Sequence, residues 1–294
     1  MKGFHRFLSL LVFALVKLAA LLPIQVLYFK ASVLQFFAEK VLQYRRSVIV
    51  QNISRAFPEM NYSQIKALTH NFYTHFFRVF AEVIKSQGIS EKDAKERFRI
   101  TNPGLIENLH KQNINVIALG GHWGNWEWLS IAPLFFDFSV YTLYKPLSSG
   151  IMENLMGKLR SVFGLKLLSM QRAGRYILKK EDYPALYVFI GDQSPSHKDP
   201  EYCYNFLNQE SLFFNGGAKL ATATKSAVVY ISMRCAKPGY YEVTFSPISM
   251  PDEQLKDNEI LHRFVKRLEQ DIKDKPEFWL WSHKRWKHKP DRNQ

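Results

Sequence analysis

Past residue 95 the chain switches repeatedly between two hydrophobic periods, and this alternation restricts the fold more than any other feature. Short apolar runs at 115–119, 139–144, 185–190, 228–234 and 241–246 read as strands. Stretches with helical spacing lie between them, at 103–111, 125–136, 150–163, 175–180 and 216–225. A last amphipathic helix over 258–273 puts Ile260, Leu261, Phe264, Val265, Leu268 and Ile272 on one face. Strands alternating with helices predict an α/β domain whose central sheet is mostly parallel and flanked by helices. No repeat, low-complexity tract or linker breaks the pattern.

The chain before residue 95 has a different character. Residues 7–29 read FLSLLVFALVKLAALLPIQVLYF, about the length that crosses a bilayer core. The run holds one charge, Lys17, and one proline, Pro23. A secretory leader would be shorter and would end in a small-x-small cleavage site; a buried core helix is the other alternative. Length and hydropathy favour an N-terminal membrane-anchoring helix. The expected organisation is an anchor at 1–30 and a main domain at 31–294, with a helical lead-in over 31–95. Lys17 and Pro23 argue against a straight span, and the amphipathic KASVLQFFAEKVLQYRR that follows suits the membrane interface. Basic residues on both sides (Lys2 and Arg6; Lys30, Lys40, Arg45 and Arg46) leave the orientation open. In the lead-in, one helix is expected over 32–55, ending before Pro58, and a second from Ser63 as N-cap to Gly88.

Charge narrows the partners. A formal net charge of +14 favours an anionic surface, either nucleic acid or membrane. The tail WLWSHKRWKHK, from Trp279 to Lys289, interleaves aromatic and basic residues and fits either. Beside an apolar N terminus the membrane reading is preferred, with Trp rings in the interface and Lys and Arg at phosphates. His283 and His288 have no metal-ligand spacing and read as surface histidines. Cys203 and Cys235 lack C-x-x-C spacing, which argues against a disulfide framework or a cysteine zinc site and suits a reducing compartment.

Chemistry concentrates in VIALGGHWGNWEW, residues 116–128. An apolar strand ends at Gly120-Gly121, His122 follows in a loop, and Asn125 is a candidate N-cap for the helix that carries Glu127. Five residues along one helix would set the two side chains about 140° apart. His122 must therefore precede the helix, and the glycines, Gly124 included, permit the turn back. A carboxylate that accepts one imidazole N–H fixes the tautomer, and the other ring nitrogen can then take a proton from an attacking hydroxyl. With nine His and 26 acidic residues, about one such spacing arises by chance, so the context carries the reading.

Several blocks in order give the chain a family likeness. They are RRSVIVQNISRAFPEM after the apolar segment, HWGNWE, Tyr144-Lys145-Pro146, GKLRSVFG, Gly191-Asp192-Gln193 and the closing PEFWLWSHKRWK. On these blocks the chain resembles the bacterial lipid A biosynthesis acyltransferases, the late lauroyl/myristoyl transferases of the lysophospholipid acyltransferase superfamily, over nearly its whole length. The resemblance implies an acyltransferase domain at 31–294, with His122 as general base and Glu127 as its partner. It implies that Arg160 holds the acceptor or polarises the thioester carbonyl, and that Asp192 borders the site. The implied donor is acyl carrier protein or acyl-CoA, and the implied acceptor an anionic lipid. The implied place is the cytoplasmic face of the inner membrane, with no metal or other cofactor and no nucleic acid. Lys145 stands where many members carry Arg, and cannot grip a phosphate bidentately. That residue and the Trp-rich motif leave the acceptor open between a lipid A precursor and another lipid, such as an amino-acid lipid. A hydrolase using the same pair, or a non-enzymatic basic membrane or nucleic-acid binder, are the other classes.

Overall fold

The computed structural model describes residues 2–179, 181–195 and 199–288. Lys180, which closes the expected helix 175–180, and Lys289, the end of the expected basic tail, lie outside the described residues, as does Met1.

The N-terminal region is helical, but its elements differ from expectation. Two helices, α1 (Lys2–Ala20) and α2 (Ile24–Phe36), replace the single anchor. Among the described residues no single helix is long and apolar enough to cross a membrane. Phe7–Ala20 and Ile24–Val41 reach that measure together, but they are bent by 120°. Pro23 sits at the N-cap of α2, where it starts the new helix and cannot continue the old one. Lys17, the one charge in the run, donates to the Gln87 carbonyl at 2.6 Å. Lys85 donates to the Ala20 and Leu22 carbonyls at 2.9 and 3.0 Å, capping α1 at the elbow. A domain boundary at 30 would thus cut through α2.

Beyond α2 a π-helical turn, Phe37–Val41, precedes α3 (Arg46–Ala56) and α4 (Tyr62–Ser86). The expected helix over 32–55 is therefore two, separated where Gln43 and Arg45 take left-handed φ of 47° and 52°. Asn61 rather than Ser63 caps α4. Its side chain accepts the Gln64 N–H at 3.0 Å, and the Gln64 side chain accepts the Asn61 N–H at 2.8 Å. One face of α2 buries Leu27 and Ala31 against Ala81 of α4. Phe7, Leu15, Leu18, Phe29, Leu34 and Phe36 stay exposed on the outside of α1 and α2.

A short helix, α5 (Glu91–Arg97), leads into the α/β body. Its strands are β1 (Phe98–Ile100), β2 (Val116–Gly120), β3 (Val140–Tyr144), β4 (Lys166–Ser169), β5 (Leu186–Ile190), β6 (Cys203–Phe206), β7 (Gln209–Leu212), β8 (Ala227–Lys237) and β9 (Tyr240–Ser249). Seven form one sheet in the order β1-β9-β8-β2-β5-β3-β4, and β6 and β7 pair as a separate antiparallel hairpin. From β8 across to β4 all neighbours are parallel; β9 returns antiparallel to β8, and β1 pairs parallel with β9. The sheet is thus mostly parallel, as expected. VIALG of β2 is buried at every position, because helices cover both faces of a central parallel strand.

The flanking helices are α6 (Pro103–Lys111), α7 (Gly150–Arg160), α8 (Met170–Leu178), α9 (Gly216–Thr224) and α10 (Asp257–Asp274). The inward face of α10 is the predicted one. α1 packs along α7 and α4, so the N-terminal helices are part of the folded body. The expected α-helix over 125–136 is instead a 3-10 run, Trp126–Phe135, with Pro133 inside it removing a main-chain donor.

Candidate active site

Two neighbouring parallel strands create the site. Gly120 of β2 is in register with Ile190 of β5, and His122 and Asp192 each stand two positions beyond that pair. The chain therefore places them side by side at the carboxyl ends of the strands, where α/β folds assemble sites. His122 Nδ1–H donates to Asp192 Oδ1 at 2.6 Å, and the His122 main-chain N–H donates to Oδ2 at 2.9 Å. A Cβ on Gly121 would lie 2.6 Å from Leu268 and 3.2 Å from Asp192 Oδ2, so only glycine lets the loop come this close. Gly124 supplies the second turn at φ +65°.

Asp192 is 2% exposed. Burial alone would raise its pKa. The charge His122 carries when protonated, its two bonds and a third from Trp279 Nε1 at 2.8 Å outweigh burial and pull it down to about 2. In the neutral imidazole, with Nδ1–H committed to Asp192, Nε2 is the acceptor nitrogen, and the Gln193 amide donates to it at 3.2 Å. The His122 side chain is 19% exposed, so this nitrogen is reachable from outside.

Glu127, the expected partner of His122, makes its hydrogen bonds elsewhere. The carboxylate on the imidazole is Asp192, while Glu127 forms a bidentate pair with Arg160, at 2.8 Å from Nε to Oε2 and 2.6 Å from Nη2 to Oε1. Arg160 ends α7, and its guanidinium, against the cost of burial, is held above its ordinary pKa by the Glu127 bonds and charge. Trp126 joins the two pairs: its ring meets the His122 ring at 5.3 Å, and its Nε1–H donates to Glu127 Oε1 at 3.2 Å. Asn125 occupies the N-cap position without capping: its side-chain amide donates to Glu82 of α4 at 2.7 Å, and its Oδ1 accepts no N–H from the run. Lys145 is exposed in the loop after β3 and shares no hydrogen bond or ion pair with His122 among the described residues.

The C-terminal segment closes the site, which corrects its reading as a membrane-facing tail. Trp279, Trp281 and Arg285 are 2%, 0% and 1% exposed. Trp279 bridges Trp123 as a single antiparallel β-bridge, the Gly124 N–H donates to the Phe278 carbonyl at 3.1 Å, and the Trp279 indole reaches Asp192. His283 is not a surface histidine. It is half-buried, its Nε2 accepts the Ser194 N–H at 3.2 Å, and burial pushes its pKa down to about 4. Arg285 lies 4.4 Å from the Phe213 ring and donates to the Leu212 carbonyl at 2.6 Å. Burial lowers its pKa to about 10. The block PEFWLWSHKRWK carries these residues, but a sequence pattern alone does not say that its tryptophans turn inward.

Next to the Gly120–Gly121 turn, Trp123, Trp126, Leu129, Tyr230 and Met233 line a small, mostly apolar depression. Among the described residues no group of three or more His, Cys, Asp or Glu could hold a metal ion. The sequence profile of the family described as "Bacterial lipid A biosynthesis acyltransferase" matches residues 3–288. No curated protein matches the chain significantly.

Proposed function

Because the chain belongs to the bacterial lipid A biosynthesis acyltransferase family, we propose that it moves a fatty acyl chain from a thioester, on acyl carrier protein or coenzyme A, to a hydroxyl of a lipid A precursor. The observation that carries the mechanism is the His122–Asp192 bond of 2.6 Å, which leaves Nε2 as a base at an accessible position. The acceptor hydroxyl displaces the Gln193 amide from Nε2 and gives up its proton there as its oxygen attacks the thioester carbonyl. The new C–O ester bond forms, the C–S bond breaks, and the imidazolium returns the proton to the leaving thiolate. Asp192 keeps the tautomer and offsets the transient positive charge. The structure thus favours Asp192 over Glu127 as the partner of the base.

Glu127 and Arg160 have a different part in this reading. Two of the five guanidinium N–H groups are engaged with Glu127, and the rest remain for an anionic group of the acceptor or for the thioester oxygen. Lys145 adds a mobile positive charge for the same headgroup. The exposed apolar faces of α1 and α2 rest on the cytoplasmic face of the inner membrane, in the interface, where the acceptor lipid is found.

The test is acyl transfer from labelled acyl carrier protein to a lipid A precursor, with an amino-acid lipid and water as competing acceptors. His122→Ala is expected to lower kcat about 10²–10⁴-fold. Full activity in that variant would remove the base assignment. Labelled amino-acid lipid would change the acceptor, and free fatty acid formed faster than ester would make the protein a hydrolase.

A further inference from the structure

Helix α4 grips the catalytic motif from one side. His75 Nε2–H donates to the Gly124 carbonyl at 3.0 Å. Seven residues further on, two turns along the same face, Glu82 accepts the Asn125 amide at 2.7 Å, and its main-chain carbonyl accepts the Trp128 Nε1–H at 3.1 Å. The gripped positions 124, 125 and 128 lie between His122 and Glu127 or next to them.

Glu82 is an unusual choice for such a contact. It is 1% exposed, and no cation pairs with it among the described residues. A buried carboxylate in that setting is tolerated only where donors fill its lone pairs. Here they do: besides Asn125, it accepts the Tyr28 hydroxyl of α2 at 2.7 Å, the Tyr241 hydroxyl of β9 at 2.9 Å and the Gly239 N–H. Asn125 in turn gives its amide to Glu82 and leaves the following 3-10 run without a side-chain cap.

We propose that Glu82 is a positioning residue for acyl transfer. Its bond to Asn125 fixes the turn from Gly124 to Trp128, and that turn sets how far the His122–Asp192 pair stands from the Glu127–Arg160 pair. The inference rests on the reading of His122 as the base. A misplacement of about 1 Å between such groups costs on the order of 10² in rate without weakening substrate binding.

The chemistry of the network supplies its own control. Glutamine can keep the three side-chain bonds: its carbonyl oxygen, in the place of Oε2, accepts from Asn125 and Tyr241, and its amide, in the place of Oε1, donates to the Tyr28 phenol oxygen. Glu82→Gln should keep kcat within about threefold, whereas Glu82→Leu should lose on the order of 10² in kcat with KM for the acyl donor little changed. Asn125→Ala cuts the same bond from the other side and serves if Glu82→Leu does not fold. It should show the same loss in kcat, and in the double variant the two losses should not add. Tyr28→Phe removes a Glu82 contact that does not touch the motif; it should lower Tm and leave kcat alone. His122→Ala is run in parallel. If His122→Ala remains active, the site reading fails. If it is inactive while Glu82→Leu or Asn125→Ala lowers Tm with wild-type kcat, the positioning role is overturned. Equal kcat losses in Glu82→Gln and Glu82→Leu also overturn it.

Discussion

Two carboxylates compete for the imidazole of His122, and substitution separates them. Glu127 is five residues away in sequence, while Asp192 is 70 away and two positions past a paired strand. Asp192→Asn keeps the shape of the side chain but can no longer hold Nδ1–H as a charged acceptor. It should lower kcat by about 10³–10⁴-fold with little change in KM. The Nδ1–H resonance of His122 in an ¹⁵N NMR spectrum should vanish in Asp192→Asn and persist in Glu127→Gln. A resonance that behaves the other way would return Glu127 to the role. The place of His122 just past a strand was legible from the sequence, since a strand, two glycines and a histidine form one contiguous signal. Its partner was not, because spacing along the chain ranks neighbours by sequence, whereas parallel pairing joins residues by register. The runs VIALGGH and LYVFIGD both end in glycine before a polar residue, and only the pairing of β2 with β5 relates them.

Helix α4 carries a pH dependence that belongs to the element. His75 is buried and its pKa is pushed down, mainly by burial, to about 4 from 6.5. Between those values the unfolded chain binds the proton and the folded chain does not, so stability rises with pH across that window and is lost as pH falls through it. The loss is about 3 kcal/mol at most. His283, also lowered to about 4, acts in the same direction. Urea unfolding at pH 4.5 and 7 should show a smaller pH effect in His75→Gln, which can still donate to the Gly124 carbonyl; an equal effect in both proteins would exclude His75 as the source. Other elements show what periodicity resolves and what it does not. α10 was readable because its six apolar positions keep one face over the whole helix. β1 and β4 were not, because three or four residues are too few to display a period. The break between α2 and α3 was hidden because Gln43 and Arg45, which adopt left-handed φ there, are not residues that announce it.

At the scale of the molecule, the bent apolar pair α1–α2 is at once packed and exposed. Phe29 is 70% and Leu18 65% exposed, while Lys17 and Lys85 fasten the elbow to α4. Leu18→Glu with Phe29→Glu should therefore leave Tm nearly unchanged, as exposed substitutions do. The same pair of changes should weaken sedimentation with anionic vesicles about tenfold or more. Unchanged sedimentation would place the membrane contact elsewhere. The alternation of strands and helices was enough to foresee the mostly parallel sheet. It did not foresee that the chain returns at its end to complete the site, through the Trp123–Trp279 bridge and the Trp279 indole on Asp192. That closure has a consequence for biosynthesis. Trp279 follows every strand of the sheet in the chain, so during synthesis β2 and β5 can pair before the indole that holds Asp192 has been made. A chain cut short of Trp279 would carry His122 and Asp192 at the ends of their strands with that latch missing.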